Sequence, residues 1–285
     1  MPFLNSPKKC YNLKMNLQTW RKNLQHQFIQ VGENQISVYK NIQEDKPIAV
    51  LLHGFGGNYF GLTPLGFELA KEYSIIICDL PAHGKSSLNS FQNIYDYRKF
   101  YQNLIFKLKK NGDIKLILAH SFSCYLVSDT KISKEIPTII INPVFEPNNS
   151  FLAGMKISQK SKLLMISSNF PFFSPFKALA LQKTWSLEAS KNIYQNMFAC
   201  QNSARKLLAQ KKTIPIALDD NVFRNTSYIK MAIIGEKDST VKPFCEAKFR
   251  KLFPKSDFRI IEESGHLLPM EKPRQIAEII FKNIK

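Results

Sequence analysis

The segment Leu116-Ile117-Leu118-Ala119-His120-Ser121-Phe122-Ser123 is an apolar run that leads directly to a serine. This placement is typical of a nucleophile elbow, in which a serine lies on a tight turn between a strand and a helix. The usual elbow has glycine two positions before and two positions after the serine, and Ala119 and Ser123 stand there instead. Both side chains are small, so we expect the turn to form if the helix packs slightly farther from the strand. We also expect the Ser123 hydroxyl to form a local hydrogen bond. A helix N-cap is the alternative role for Ser121.

Further apolar runs, bounded by turn residues, recur along the chain and leave room for helices between them. Most are continuous in isoleucine, valine and leucine, as in strands that a parallel sheet buries on both faces. The predicted strands are Ile48–Leu52, Ile75–Cys78, Ile114–Leu118, Thr138–Ile141, Ile229–Ile234 and Phe258–Ile261. Two earlier runs, Gln27–Val31 and Gln35–Tyr39, predict an antiparallel hairpin at the sheet edge. The pattern indicates an α/β fold with a mostly parallel central sheet flanked by helices, the last of which begins at Pro273.

The alternation of predicted strands and helices stops over residues 145–224, where aromatic side chains are frequent and the sequence shows no clear strand. We interpret this segment as a helical lid inserted between two parts of the core, residues 27–144 and 225–285. Residues 1–26 form a basic N-terminal arm. The aromatic side chains of the lid either pack it onto the core or line an acyl-binding pocket. The candidate substrate contacts are Phe145, Phe151, Phe172 and Phe173.

Composition limits the class of protein. A chain of 285 residues with 44% hydrophobic content can bury one large core with an insertion. No run of eighteen apolar residues is present, and the first twenty-two residues carry five basic side chains without a signal-peptide type stretch. These features predict a cytoplasmic protein, which we expect to be a monomer. The five scattered cysteines are expected to be reduced thiols.

The net charge of +18 has two interpretations. It is either a lysine-rich solvated surface or the positive field of a protein that attracts an acidic partner. The basic residues are dispersed and no nucleic-acid-binding motif is present, so a nucleic acid is not the expected partner.

Polar motifs follow the predicted strands in chain order, at the edge where open α/β sheets place their sites. The first two are His53-Gly54-Phe55-Gly56-Gly57 and Asp79-Leu80-Pro81-Ala82-His83-Gly84-Lys85-Ser86. The Ser121 turn is third, and Gly235-Glu236-Lys237-Asp238 and Gly265-His266 complete the set. In this combination and order, the chain resembles the α/β-hydrolase family, in the branch of small carboxylesterases, carbon–carbon bond hydrolases and haloperoxidase-like enzymes.

The resemblance implies catalytic roles for three side chains. Ser121 would be the nucleophile, His266 the general base, and Asp238 the acid that orients the imidazole. The backbone N–H groups of Phe55 and Phe122 would form the oxyanion hole. Glu146 is the alternative acid, because some relatives carry the acid after the preceding strand. His53, His83 and His120 match structural positions, and neither a cofactor nor a metal is implied.

The substrate is expected to be an acyl ester. The lid segment carries eleven lysines and arginines against four acidic residues, which together with its phenylalanines favours an acyl chain on an acidic carrier. The layout is similar to that of pimeloyl-[acyl-carrier protein] methyl ester esterases of biotin synthesis. The alternatives are a generic short-chain esterase or lipase, a thioesterase, a carbon–carbon bond hydrolase, and a non-catalytic module that binds a ligand or protein.

Overall fold

The structure is a computed structural model that describes residues 16–54, 57–81, 83–87, 94–128, 131–144, 228–238 and 246–284. Its centre is an eight-stranded sheet built from the apolar runs of the sequence. The strands are β1 (Gln25–Val31), β2 (Asn34–Asn41), β3 (Ile48–Leu52), β4 (Ser74–Cys78), β5 (Ile114–His120), β6 (Thr138–Ile141), β7 (Ile229–Gly235) and β8 (Asp257–Ile261). All predicted strands are therefore confirmed, with ends that differ from the prediction by at most two residues.

The strand order is β1-β2-β4-β3-β5-β6-β7-β8. β1 and β2 form the predicted hairpin, and β2 joins β4 in antiparallel orientation. The remaining neighbours are parallel, so β3 and β5 to β8 end at the same edge of the sheet as β4. The motif residues that follow these strands are thereby brought together at one edge.

Helices cover both faces of the sheet and bury it from either side. They are α1 (Leu17–Lys22), α2 (Thr63–Leu69), α3 (Ile94–Leu108), α4 (Ser123–Val127), α5 (Ile132–Glu135), α6 (Glu246–Leu252), α7 (Leu268–Glu271) and α8 (Pro273–Asn283). Successive side chains of β3 point to opposite faces of the sheet and pack in two different hydrophobic cores, as expected for a strand. Val50 packs with residues of α3 and α4 on one face, whereas Leu51 packs with residues of α2 and α8 on the other.

The helix α1 lies inside the region that the sequence predicts as an arm. Its Trp20 side chain is only 2% exposed and packs edge-on against Phe67 of α2, with ring centroids 6.0 Å apart. A Cβ atom on Gly66 would lie 3.1 Å from the Trp20 ring, so this glycine permits the close approach. The core therefore includes residues ahead of the predicted boundary at residue 27, because one large aromatic side chain anchors a short helix.

The predicted lid, residues 145–224, lies outside the described residues, and so does most of the N-terminal arm. Among the helices that the structure describes, none is both long enough and apolar enough to span a bilayer. Cys78 and Cys124, two of the five cysteines, are buried free thiols. Burial raises the pKa of both thiols, so neither side chain is a reactive thiolate.

Candidate active site

The turn after β5 has the geometry of a nucleophile elbow. Ser121 follows the strand directly with φ of 55°, in the left-handed region that non-glycine residues seldom adopt. Its backbone N–H donates to the Ile141 carbonyl oxygen at 2.9 Å, and its own carbonyl accepts from Cys124 at 3.0 Å. The residue is held in this conformation between a strand and a helix, which aims the hydroxyl at the edge where the motifs meet.

The two residues that replace the usual glycines are both buried, and one of them has a bonding role. Ala119 has no exposed surface. The Ser123 hydroxyl accepts from the His120 backbone N–H and donates to the Leu52 carbonyl oxygen, both at 2.9 Å. Ser123 thus ties the elbow to the end of β3, and the expected local hydrogen bond is present.

Gly54 completes the elbow from the neighbouring loop. A Cβ atom at this position would lie 2.8 Å from the Ser121 Cβ atom and 3.3 Å from the His120 ring. Real Cβ atoms essentially never make a contact as short as 2.8 Å, so the loop after β3 reaches the serine only because residue 54 lacks a side chain.

Ser121, His266 and Asp238 form a continuous chain of hydrogen bonds. The Ser121 Oγ lies 2.9 Å from His266 Nε2, and His266 Nδ1 lies 2.7 Å from Asp238 Oδ2. All three residues are at most 9% exposed. Because a carboxylate only accepts, His266 Nδ1 carries the proton, which leaves the Nε2 lone pair to accept from the serine hydroxyl. The arrangement can therefore move the hydroxyl proton to the imidazole and balance the charge that results.

The loops that carry the acid and the histidine are joined along their length. The backbone N–H of Glu236 donates to Ile261 at 3.0 Å, and that of Lys237 donates to Ser264 at 2.8 Å. A Cβ atom on Gly235 would lie 2.5 Å from the Gly265 carbonyl oxygen, so the two loops touch through backbone. These contacts hold the loop of Asp238 against the loop of His266.

The predicted oxyanion hole is described only in part. Phe122 directly follows Ser121 and precedes the first residue of α4, so its backbone N–H lies beside the serine at the start of the helix. Its ring packs edge-on against Tyr97, with centroids 5.7 Å apart. Phe55, the alternative acid Glu146, and the lid residues Phe145, Phe151, Phe172 and Phe173 lie outside the described residues.

Three other histidines surround this site without joining the chain of hydrogen bonds. His53 donates from Nδ1 to Gly54 and accepts at Nε2 from the Leu80 backbone N–H. Burial lowers the pKa of His53 well below its usual value and lowers the pKa of His83 to about 4. Burial, aided by the nearby His266, also lowers the pKa of His120 to about 3. All three rings are thus neutral at neutral pH, as suits the structural roles expected for them.

Asp79 organises the loop after β4. Its carboxylate accepts from the backbone N–H groups of Tyr59 at 2.7 Å and Lys85 at 3.0 Å. Gly84 has φ of 50°, and a Cβ atom there would collide with this carboxylate. Burial raises the pKa of Asp79 to about 6, although the two backbone donors oppose that shift. The side chain supports the loop and lies apart from the Ser121 chain of hydrogen bonds.

One residue of the site was missed by the sequence reasoning. Asn142 follows β6, and its side chain bonds to both the acid loop and the histidine loop. The signal for it was the same as for the other motifs, since a polar residue stands directly after a buried strand.

Solved structures with the same fold include enzymes of more than one chemistry. Carboxylesterase CesB (YbfK) from Bacillus subtilis gives a TM-score of 0.72 at 13% identity, over 94% of this chain and 93% of that chain. A carboxylesterase from the thaumarchaeon Nitrososphaera gargenis gives 0.68 at 16% identity, over 90% and 97%. The Cif epoxide hydrolase from Acinetobacter nosocomialis gives 0.71 at 16% identity, over 93% and 90%. At these identities the likeness concerns the fold.

Among curated proteins, none has a significantly similar sequence. A family model, in contrast, matches most of the chain, from residue 49 to residue 279. The matched region runs from β3 to α8 and so includes Ser121, Asp238 and His266. The chain belongs to the alpha/beta hydrolase family.

Proposed function

We propose that this hydrolase is a serine carboxylesterase that acts through Ser121, His266 and Asp238. The observation that carries the proposal is the unbroken path from the Ser121 Oγ to the Asp238 carboxylate, through contacts of 2.9 and 2.7 Å. A serine hydroxyl is a weak nucleophile unless a base lies within hydrogen-bond reach. His266 meets that requirement, and Asp238 holds it in the tautomer that accepts the proton.

The reaction has two halves. In the first, the Ser121 Oγ forms a bond with the ester carbonyl carbon while its proton passes to His266 Nε2. The tetrahedral intermediate then expels the alcohol, which takes that proton, and an acyl-enzyme remains. In the second half, His266 removes a proton from water, and the hydroxide attacks the acyl carbonyl carbon. The Ser121 Oγ leaves that carbon and takes the proton back from His266, and the carboxylic acid is released.

Charge on the carbonyl oxygen requires hydrogen-bond donors that are already in place. The backbone N–H of Phe122 lies on the residue next to the nucleophile, and that of Phe55 is its proposed partner in the loop after β3. Removal of one such donor costs about 3 kcal/mol of barrier in other serine hydrolases. The close approach of Gly54 to Ser121 supports this pairing, because it brings the loop to the elbow.

We infer that the acyl chain is presented by an acidic carrier protein, and that the ester is a methyl ester of the pimeloyl type. The support is charge. The whole chain is +18, and residues 145–224 carry eleven basic residues and four acidic ones. A positive field of this size accelerates association with an acidic partner. Phe145, Phe151, Phe172 and Phe173 are the proposed apolar contacts for the acyl chain.

The test of the reaction compares the parent with Ser121→Ala on short-chain p-nitrophenyl esters. We expect hydrolysis in the parent and its loss in the variant, with an unchanged unfolding temperature. Ser128→Ala is the matched control, because it removes another buried serine hydroxyl that donates only to the Cys124 carbonyl of α4. Turnover retained in Ser121→Ala would refute the nucleophile. A parent that hydrolyses no ester but binds an acyl ligand tightly would instead be a binding module.

The test of the substrate uses one methyl ester in two forms, free and attached to an acyl carrier protein. We expect the carrier-bound ester to have the higher kcat/KM, and this advantage to shrink as salt screens the charges. Equal values for both forms at every salt concentration would refute the carrier while leaving the esterase intact. Faster cleavage of a carrier thioester than of the methyl ester would make the chain a thioesterase.

A further inference from the structure

Through one buried side chain, Asn142 connects the end of β6 to the loop of the acid and to the loop of the histidine. The residue is 1% exposed and follows the last residue of β6. Its Nδ2 donates to the carbonyl oxygens of Gly265 and His266, both at 2.9 Å. Its Oδ1 accepts from the Gly235 backbone N–H at 2.7 Å, three residues before Asp238. The amide therefore bonds at once to the loop of the acid and to the loop of the histidine.

Ile141, the residue before Asn142, bonds to the third loop of the site, which carries Ser121. The Ile141 carbonyl oxygen accepts from the Ser121 backbone N–H at 2.9 Å. Two consecutive residues at the end of β6 thus fix the backbone beside Ser121, Asp238 and His266. A displacement at this point would move all three side chains relative to one another.

Two other side chains, His120 and Glu271, also hydrogen-bond to the backbone at His266 and Gly265. His120 Nε2 donates to the same His266 carbonyl oxygen at 2.8 Å, and the Gly265 backbone N–H donates to Glu271 Oε2 at 2.8 Å. Backbone groups before and after the His266 Cα atom therefore have hydrogen-bond partners. Asn142 also bonds to the acid loop, through the Gly235 backbone N–H.

Asparagine suits this position for two physical reasons. Its amide offers one acceptor and two donor hydrogens, which match one backbone N–H and two carbonyl oxygens. Its backbone has φ of 46°, and asparagine tolerates that left-handed conformation better than most residues. Aspartate would keep the backbone conformation and the bond to Gly235, but it would place a carboxylate oxygen against two carbonyl oxygens.

We propose that Asn142 is the positioning residue of this active site, and that its side-chain amide sets the place of His266 between Ser121 and Asp238. The inference rests on the proposed serine mechanism for its kinetic consequence. The amide bonds to backbone atoms of the two loops, so it acts on the imidazole through the backbone. Proton transfer depends steeply on the distance from Ser121 to His266, and misplacement by about 1 Å costs about 100-fold in rate.

The test compares Asn142→Asp and Asn142→Gly with the parent. Asn142→Asp keeps the acceptor toward Gly235 but replaces the two donors toward the histidine loop by a carboxylate oxygen, whereas Asn142→Gly removes the side chain and keeps the left-handed backbone. We expect kcat for a p-nitrophenyl ester to fall by about 100-fold in Asn142→Asp, with KM unchanged, because positioning rather than binding is lost. Asn142→Ser, which keeps a small polar group, replaces either variant that fails to fold.

Thr138→Val is the matched control at the opposite end of β6. It removes a buried hydroxyl that donates to Ile136 at 3.0 Å, with no contact to the site. We expect this variant to lose stability but to keep the parent's kcat. If the Asn142 variants keep the parent's kcat while folded, or if Thr138→Val loses as much kcat as they do, the positioning role is wrong.

A second readout does not require turnover. The proton on His266 Nδ1, held by Asp238, is expected to give a low-field imidazole resonance in the proton NMR spectrum. Ser121→Ala should keep this resonance, because the histidine and acid loops are untouched, whereas Asn142→Asp should lose it. A parent without esterase activity would refute the proposed function, and the resonance would still decide the role of Asn142. Retention of the resonance in every Asn142 variant would overturn the inference.

Discussion

Replacing Ser123 by glycine would restore the residue that the usual elbow has at this position, and we expect the change to destabilise the protein. The Ser123 hydroxyl accepts from the His120 backbone N–H and donates to the Leu52 carbonyl oxygen, in a place without exposed surface. Each buried polar group that loses its partner costs about 1–3 kcal/mol. Two such groups give about 2–6 kcal/mol for Ser123→Ala, and glycine adds about 0.5–1 kcal/mol of backbone entropy at the start of α4.

Thermal unfolding of Ser123→Gly, Ser123→Ala and the parent tests this expectation. A chain of this length loses about 2 °C of unfolding temperature per kcal/mol, so the alanine variant should unfold about 4–12 °C lower and the glycine variant lower still. Ser128→Ala, at the residue directly after α4, is the control, because the Cys124 carbonyl that its hydroxyl contacts also accepts from the Ser128 backbone N–H. If Ser123→Gly is as stable as the parent, then the Ser123 hydroxyl does not stabilise the elbow in place of the usual glycine.

Three further predictions concern the site loop, the pH dependence of stability and the N-terminal helix. Gly54→Ala should abolish most esterase activity while the protein stays folded, because the added Cβ would lie 2.8 Å from the Ser121 Cβ atom; kcat/KM and circular dichroism check this. Burial lowers the pKa of His83 to about 4, below its usual 6.5, so its contribution to stability is present above pH 6.5 and lost as the pH falls toward 4. Between pH 7 and pH 5, the free energy of unfolding of the parent, measured by urea titration, should therefore fall by about 2 kcal/mol more than that of His83→Gln. An equal fall in both proteins would refute a neutral buried ring. Trp20→Ala should cost about 3–5 kcal/mol, since the indole is the buried anchor of α1, and a small change would show that α1 adds little to the core.

The strands could be predicted because burial on both faces leaves a simple signal. Ile48–Leu52 and Thr138–Ile141 are nearly pure runs of branched apolar residues, and the structure begins and ends β3 and β6 at those residues. The rule that sites lie at strand ends placed the motifs at one edge of the sheet, whereas the roles of Ser121, Asp238 and His266 came from the family resemblance. The strand order did not follow, because it depends on which strands hydrogen-bond to each other in space rather than on any local pattern.

Other features were missed because their cause is tertiary. Asn142 was passed over since an asparagine before a proline also fits an ordinary turn, and its four partners come from segments about ninety residues or more away. The role of Ser123 was foreseen only as a local hydrogen bond, whereas its hydroxyl also reaches Leu52 on β3. The helix α1 was hidden because a single tryptophan in a basic segment gives no periodic signal.

The role of Ser121 as nucleophile is tested most directly by a fluorophosphonate, which labels activated serines, followed by mass spectrometry of the modified peptide. We expect one adduct per chain, on Ser121, and no labelling of His266→Ala, because the hydroxyl then lacks the base 2.9 Å away. An adduct on another serine, or undiminished labelling of His266→Ala, would contradict the mechanism.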